Sequence, residues 1–163
     1  MNEFQGALGL AQLRKLNRVI SAQRKNKAAL KEALAPIPGL KFRRIPDPEG
    51  DSATFLAFNL HAEEQTKAFQ KALKAEGIDT TRFKDNFWHY VPNWEHFLAK
   101  STANSLKNPF SDSRNRKATY SRKSIPHAED ILGRTLIMGV NVKMPAAKLK
   151  AIRKGIANAA KVL

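Results

Sequence analysis

The residues best equipped for chemistry fall in one stretch, Asp85 to Leu98, which reads DNFWHYVPNWEHFL. Two tryptophans, a tyrosine, two phenylalanines and two histidines share it. Aromatic faces stack on sugars and bases, and an imidazole exchanges hydrogen bonds with hydroxyls. Trp88, His89 and Tyr90, with Pro92 close behind, are therefore candidates for contact with a substrate. The same residue types also build cores. Trp88 and Trp94 serve equally as packing groups, and His89 as a partner for a backbone group. Spacing alone leaves both uses open, while His96 reads as structural. No metal site is indicated. His89 and His96 stand seven apart with Glu95 between them, His61 and His127 are distant, and no zinc-ligand spacing occurs.

A second chemistry is electrostatic. From Ser101 to Ser124 the chain is rich in Ser, Asn, Lys and Arg, with Asp112 its one acid. Arg114, Arg116 and Lys117, helped by Lys107, Arg122 and Lys123, could meet phosphate groups. The plainer use of such a run is a solvated loop. Ser111, Ser113 and Ser121 have no His or Asp placed to activate them, so no catalytic nucleophile is assigned.

The whole chain is basic as well, with 29 Lys and Arg against 14 Asp and Glu, a formal charge of +15. That charge attracts nucleic acid, anionic lipid and phosphorylated small molecules alike and does not choose among them. Its 163 residues suit one domain. With no cysteine there is no disulfide framework and no thiolate metal site, as befits a reducing cytoplasm. No secretory signal is visible, and the apolar run Leu136 to Val140 is far too short to span a bilayer. A cytoplasmic protein without a membrane partner is the expectation.

These groups must be positioned by elements that the periodicity predicts. Met1 to Leu34 is free of proline, and Leu10, Leu13, Leu16 and Ile20 recur at helical spacing, so one continuous helix is predicted over residues 2–34. Gly6 and Gly9, with Ala7 and Ala11, give it a surface that another backbone could approach closely. Such a helix is longer than its own domain needs and is expected to pack against something large. Residues 40–45 alternate apolar and basic, and residues 53–60 form a more buried run; the two are predicted to pair antiparallel. Residues 63–76 read as a helix capped by Gly77, residues 78–83 as extended. A short helix opening at Pro126, a strand over 135–142 and a helix over 145–162 follow.

The first thirteen residues, MNEFQGALGLAQL, resemble a signature of the DegT/DnrJ/StrS group of pyridoxal-phosphate sugar aminotransferases. There an Arg-Met-x-Glu segment opens the long helix between the large cofactor domain and the small C-terminal domain. The run ends in a Gln-Leu pair like Gln12-Leu13, and a basic stretch like Arg18 to Lys27 follows. Gly77-Ile78-Asp79-Thr80 is similar to the family's Gly-Ile-x-Thr segment, and His89-Tyr90-Val91-Pro92 to its His-Tyr-x-Pro region, which borders the sugar cleft. Pro126-His127-Ala128-Glu129 is similar to its Pro-x-Ala-Glu helix start. The following strand departs from the pattern, with Ile137-Met138-Gly139 in the region where many members have Leu-Pro.

The resemblance implies an α/β chain of α+β type like the C-terminal domain of fold-type I aminotransferases: a connecting helix over 1–35, then a small domain over 36–163. A small, mostly antiparallel sheet with covering helices is expected, with a basic loop at about 100–124. It implies a parent that aminates a keto-sugar, often nucleotide-linked. Pyridoxal phosphate would be the parent's cofactor, and its partners a large domain and a second subunit in a homo-oligomer. The lysine that holds the cofactor as a Schiff base, and the acid facing its pyridine nitrogen, lie in the family's large domain. Neither motif occurs here, so no cofactor is expected on this chain alone and no catalytic residue is assigned. The competing reading is a stand-alone basic module for nucleic acid or another polyanion. The charge favours it; the lack of a zinc-finger, RNP or KH signature makes nucleic acid the weaker partner.

Overall fold

The structure, a computed structural model, describes residues 2–104, 108–115 and 117–163. Met1, Lys107 and Arg116 lie outside the described residues.

Helices Glu3–Leu13 (α1) and Leu16–Leu34 (α2) occupy the long N-terminal segment. Asn2 caps α1. Its Oδ1 accepts the Gln5 N–H at 2.8 Å, and Gln5 Oε1 accepts the Asn2 N–H at 3.0 Å, satisfying two donors that have no helical partner. The predicted single helix is interrupted at one step. The Lys15 N–H turns back to the Gln12 carbonyl at 2.9 Å, three residues away. No proline or glycine marks the place, and Gly6 and Gly9 stay inside α1. The step carries Arg14, Lys15 and Arg18 close together, and α2 begins there with no side-chain cap and no acid in its first turn, so the helix start gains nothing from its own dipole.

A four-stranded sheet follows, built from Lys41–Phe42 (β1), Phe55–Asn59 (β2), Thr81–Arg82 (β3) and Thr135–Gly139 (β4). Its order is β1-β2-β4-β3 and every pair is antiparallel. The predicted pairing of 40–45 with 53–60 is present, with Lys41 opposite Asn59 and Phe42 opposite Phe58. β1 is shorter than the alternation suggests; one more bond, Arg43 N–H to Ala57 O at 2.9 Å, extends it before Pro46.

Period two sorts the strands. Leu56, Phe58 and Leu60, with Leu136, Met138 and Val140, turn to one face and are buried. There they meet Leu30 and Leu34 of α2, Phe69 and Leu73 of Glu63–Ala75 (α3), and Ile156 of Ala146–Ala159 (α6). Phe58 and Phe69 stand edge to face, ring centres 6.4 Å apart. Gly77 ends α3 at φ +72°, the left-handed cap its position predicts. The opposite face, with Phe55, Ala57, Asn59, Thr135 and Ile137, carries no helix of this core layer. Two short helices, Glu95–Leu98 (α4) and Pro126–Gly133 (α5), complete the set used below.

Candidate functional site

The aromatic stretch leaves β3 through a 3₁₀ turn at Phe83–Asp85 and reaches α4 through another at Val91–Asn93. Asn86 shapes the loop between them. Its Oδ1 accepts the N–H of Trp88 at 2.8 Å and of His89 at 2.9 Å, and lies 3.1 Å from His89 Nδ1. A loop closed this way directs successive side chains apart. Trp88 is 83% exposed; Tyr90 is 3% exposed. His89 leans on the Phe83 ring at 5.8 Å.

The three sequence candidates therefore separate. Trp88 joins Phe87, Asn93, Trp94, Glu95 and His96 around an open hollow of about 420 Å³. Trp94 and His96 stack there, centres 5.8 Å apart and planes 19° from parallel. Tyr90 turns inward instead, and its buried hydroxyl makes no hydrogen bond to a described residue. Burial pushes its pKa up, and the nearby charge of Glu129 adds to the effect.

The base of this loop is clamped by charge. Glu63, at the start of α3, accepts from Arg82 Nη1 at 2.7 Å and Lys84 Nζ at 2.8 Å, and pairs with Lys67 at 3.1 Å. Lys84 also pairs with Glu129 of α5 at 3.0 Å, and Arg82 grips Asp85 with two bonds. The Lys84 hydrogen bond is the chief reason that the Glu63 carboxyl titrates low, at about 2. Gly133 lies against it: a Cβ there would come within 2.7 Å of Glu63 Oε2, so a side chain at this position would push the Glu63 carboxylate aside. In the sequence Glu63 is placed only at the start of a helix, and this clamp is missed. The signal is the clustering of Arg82, Lys84 and Asp85 where the aromatic stretch begins.

Among its described residues the basic segment carries a turn at Pro109–Ser111. It is attached through rings: Phe97 of α4, Phe110 and Tyr120 meet edge to face at 5.6–5.7 Å. Arg122 Nη1 donates to the Pro92 carbonyl at 3.0 Å, tying the segment to the aromatic loop. Arg114 is exposed but already gripped by Asp112, at 2.8 and 3.0 Å, and Lys117 is exposed. A further hollow of about 630 Å³ lies on the open sheet face, bordered by Lys41, Arg43 and Arg44. In the sequence these three are only the basic positions of the alternating run 40–45.

Among the described residues no group of three or more His, Cys, Asp or Glu is placed to hold a metal ion. Among them, too, no helix is long and apolar enough to cross a membrane.

Comparison with known proteins places this geometry among relatives. A family model, the DegT/DnrJ/EryC1/StrS aminotransferase family, matches residues 1–157. Three solved structures share the fold. The aminotransferase TlmJ from Streptoalloteichus hindustanus superposes with a TM-score of 0.61 at 17% identity, over 94% of this chain and 35% of its own. PseC from Helicobacter pylori, an aminotransferase involved in pseudoaminic acid biosynthesis, gives 0.62 at 15% identity, over 100% and 38%. The putative sugar aminotransferase Spr1654 from Streptococcus pneumoniae gives 0.66 at 14% identity, over 100% and 36%. The chain thus spans little more than a third of the length of each of these enzymes.

Proposed function

The chain belongs to the DegT/DnrJ/EryC1/StrS aminotransferase family, and from that premise we propose that it is the C-terminal small domain, with its connecting helix, of a pyridoxal-phosphate-dependent enzyme that aminates a keto-sugar. The observation that carries this reading is the near-complete match of the chain to the family beside its coverage of 35–38% of three solved relatives. In this reading residues 1–35 are the connector, residues 36–163 the small domain, and Trp88 with its aromatic hollow faces the sugar cleft. Tyr90 and His89 border that cleft from behind, and the Glu63 clamp fixes the loop that carries all three. Arg114 and Lys117 lie on the exposed arm that would approach a nucleotide-linked substrate's phosphates.

The cofactor supplies an electron sink when bound, and the lysines held in fixed positions here do not fit it. A lysine that attacks a carbonyl needs its pKa lowered. Lys84 is driven the other way by Glu63 and then Glu129, and Lys27 is locked to Asp51 at 2.5 Å. Lys41 borders the sheet-face hollow, but no carboxylate of a described residue borders it to face a pyridine nitrogen. The cofactor site is assigned to the parent's large domain.

Borohydride reduction of the chain with pyridoxal phosphate, followed by peptide mass mapping, tests the assignment. The expected result is sparse, scattered lysine labelling and no transamination. One stoichiometrically labelled lysine with measurable turnover would overturn it. Sequencing the coding DNA upstream of Met1 gives an independent check, an in-frame large domain being the expected result.

A further inference from the structure

The hollow on the open sheet face is used by none of the roles above. Its floor is Phe55 and Ala57 of β2 and Ile137 of β4, and Ile131 of α5 closes one side. Ala57 and Ile137 face each other across the ladder, one position out of step with the core residues Leu56, Phe58 and Leu136. The pleat therefore holds this apolar patch away from the helices.

Along the β1 edge stand Lys41, Arg43 and Arg44. None makes a salt bridge to a described residue. No described Asp or Glu borders the hollow. Unpaired cations are ordinary on so basic a chain. Their convergence on an apolar floor of ligand size is not. The Arg43 guanidinium lies 5.0 Å over the Phe55 ring, which places its plane while its N–H groups make no hydrogen bond to a described residue. The volume of about 630 Å³ falls within the usual range for small-molecule pockets.

We propose that this hollow binds a small organic anion, its carboxylate or phosphate held by Arg43 and Arg44 and its apolar or planar body resting on Phe55, Ala57 and Ile137. Guanidinium forks suit either head group. The apolar floor gains nothing from a bare inorganic ion, so the body of the ligand matters as much as its charge. The site goes beyond the aminotransferase reading and does not depend on it.

Fluorescence titration of the whole chain with 8-anilinonaphthalene-1-sulfonate, an aromatic anion, tests the proposal. The expected result is one saturable probe per chain. Charge reversal by Arg43→Glu with Arg44→Glu should weaken binding by at least about tenfold. Both residues are exposed, so folding is retained; should the pair unfold, Arg43→Gln with Arg44→Gln decides, with a smaller but measurable loss. Leu8→Lys controls for probe adsorbed on the exposed apolar helix α1 and should leave binding unchanged. Phenyl phosphate and benzoate, compared as competitors, show which head group the site prefers; neutral benzamide should not compete. Unaltered binding in both arginine variants, loss of binding in Leu8→Lys, or competition by benzamide as strong as by the anions would each overturn the proposal.

Discussion

Helices α1 and α2 are two halves of one N-terminal rod, and burial divides them against their composition. α1 is largely apolar, yet none of its residues is buried: Phe4 is 77% and Leu13 65% exposed. α2 is far more polar, yet Leu30 and Leu34 sit at the centre of the core. Hydrophobicity alone does not say where a helix goes. α2 is held because its apolar groups fall on one stripe that meets a sheet, and because polar groups beside that stripe find fixed partners. Asn26 Nδ2 donates to the Asn141 and Val142 carbonyls at 2.8 and 3.1 Å, Gln23 to Val140 O at 3.1 Å, and Lys27 to Asp51. A largely apolar helix is made to be enclosed, and the rest of this chain does not enclose α1.

Four measurements would break or sharpen that contrast. Leu34→Ala should cost the most, about 2–5 kcal/mol in urea unfolding, because it empties a filled core site; a cost below about 0.5 kcal/mol, the range of a surface substitution, would mean that α2 is no better anchored than α1. Asn26→Ala should follow at about 1–3 kcal/mol, since it strands two part-buried carbonyls. The third concerns acid. Asp51 is held below its ordinary carboxyl value of 3.8, chiefly by the Lys27 hydrogen bond. A lowered folded pKa stabilises fully above the ordinary value and is lost as pH falls through the folded one. Lys27→Met should therefore flatten the stability profile as pH falls below the ordinary carboxyl value of 3.8, and an unchanged slope would show that the pair does not couple to folding.

The smallest effect belongs to α1. Leu10→Ala should change stability by no more than about 0.5 kcal/mol. On the aminotransferase reading, however, the bare helix seeks a partner, so sedimentation should show self-association at high micromolar concentration that Leu8→Lys abolishes. A clean monomer would mean that the helix folds back on its own domain.

Much of this fold was legible because its core elements repeat. Residues 40–45 alternate apolar and basic, residues 53–60 form a bounded apolar run, the apolar stripe of α2 has helical period, and Gly77 sits where a cap belongs. The break at Arg14–Lys15 was not legible, because no proline or glycine stands there to mark it. The candidate site was half legible. Composition singled out Trp88, His89 and Tyr90, but an aperiodic loop does not announce which aromatic turns inward; Asn86 decides that through two backbone bonds. Arg43 and Arg44 were visible as strand residues. Their company, Phe55 and Ile137, comes from strands distant in sequence and exists only in the folded sheet.

Strand order also governs when this protein folds. β4 lies between β2 and β3, so Phe55 waits for Gly139 and Asn59 for Thr135 before the middle of the sheet exists. The β1–β2 ribbon, two residue pairs long, is too small to persist alone. On the ribosome the first 134 residues therefore emerge without a closed sheet, and the long chain between β2 and β4 makes that closure entropically slow. A chain cut anywhere before β4 loses the centre of its sheet, not an edge, and its exposed strands become a target for chaperones and proteases.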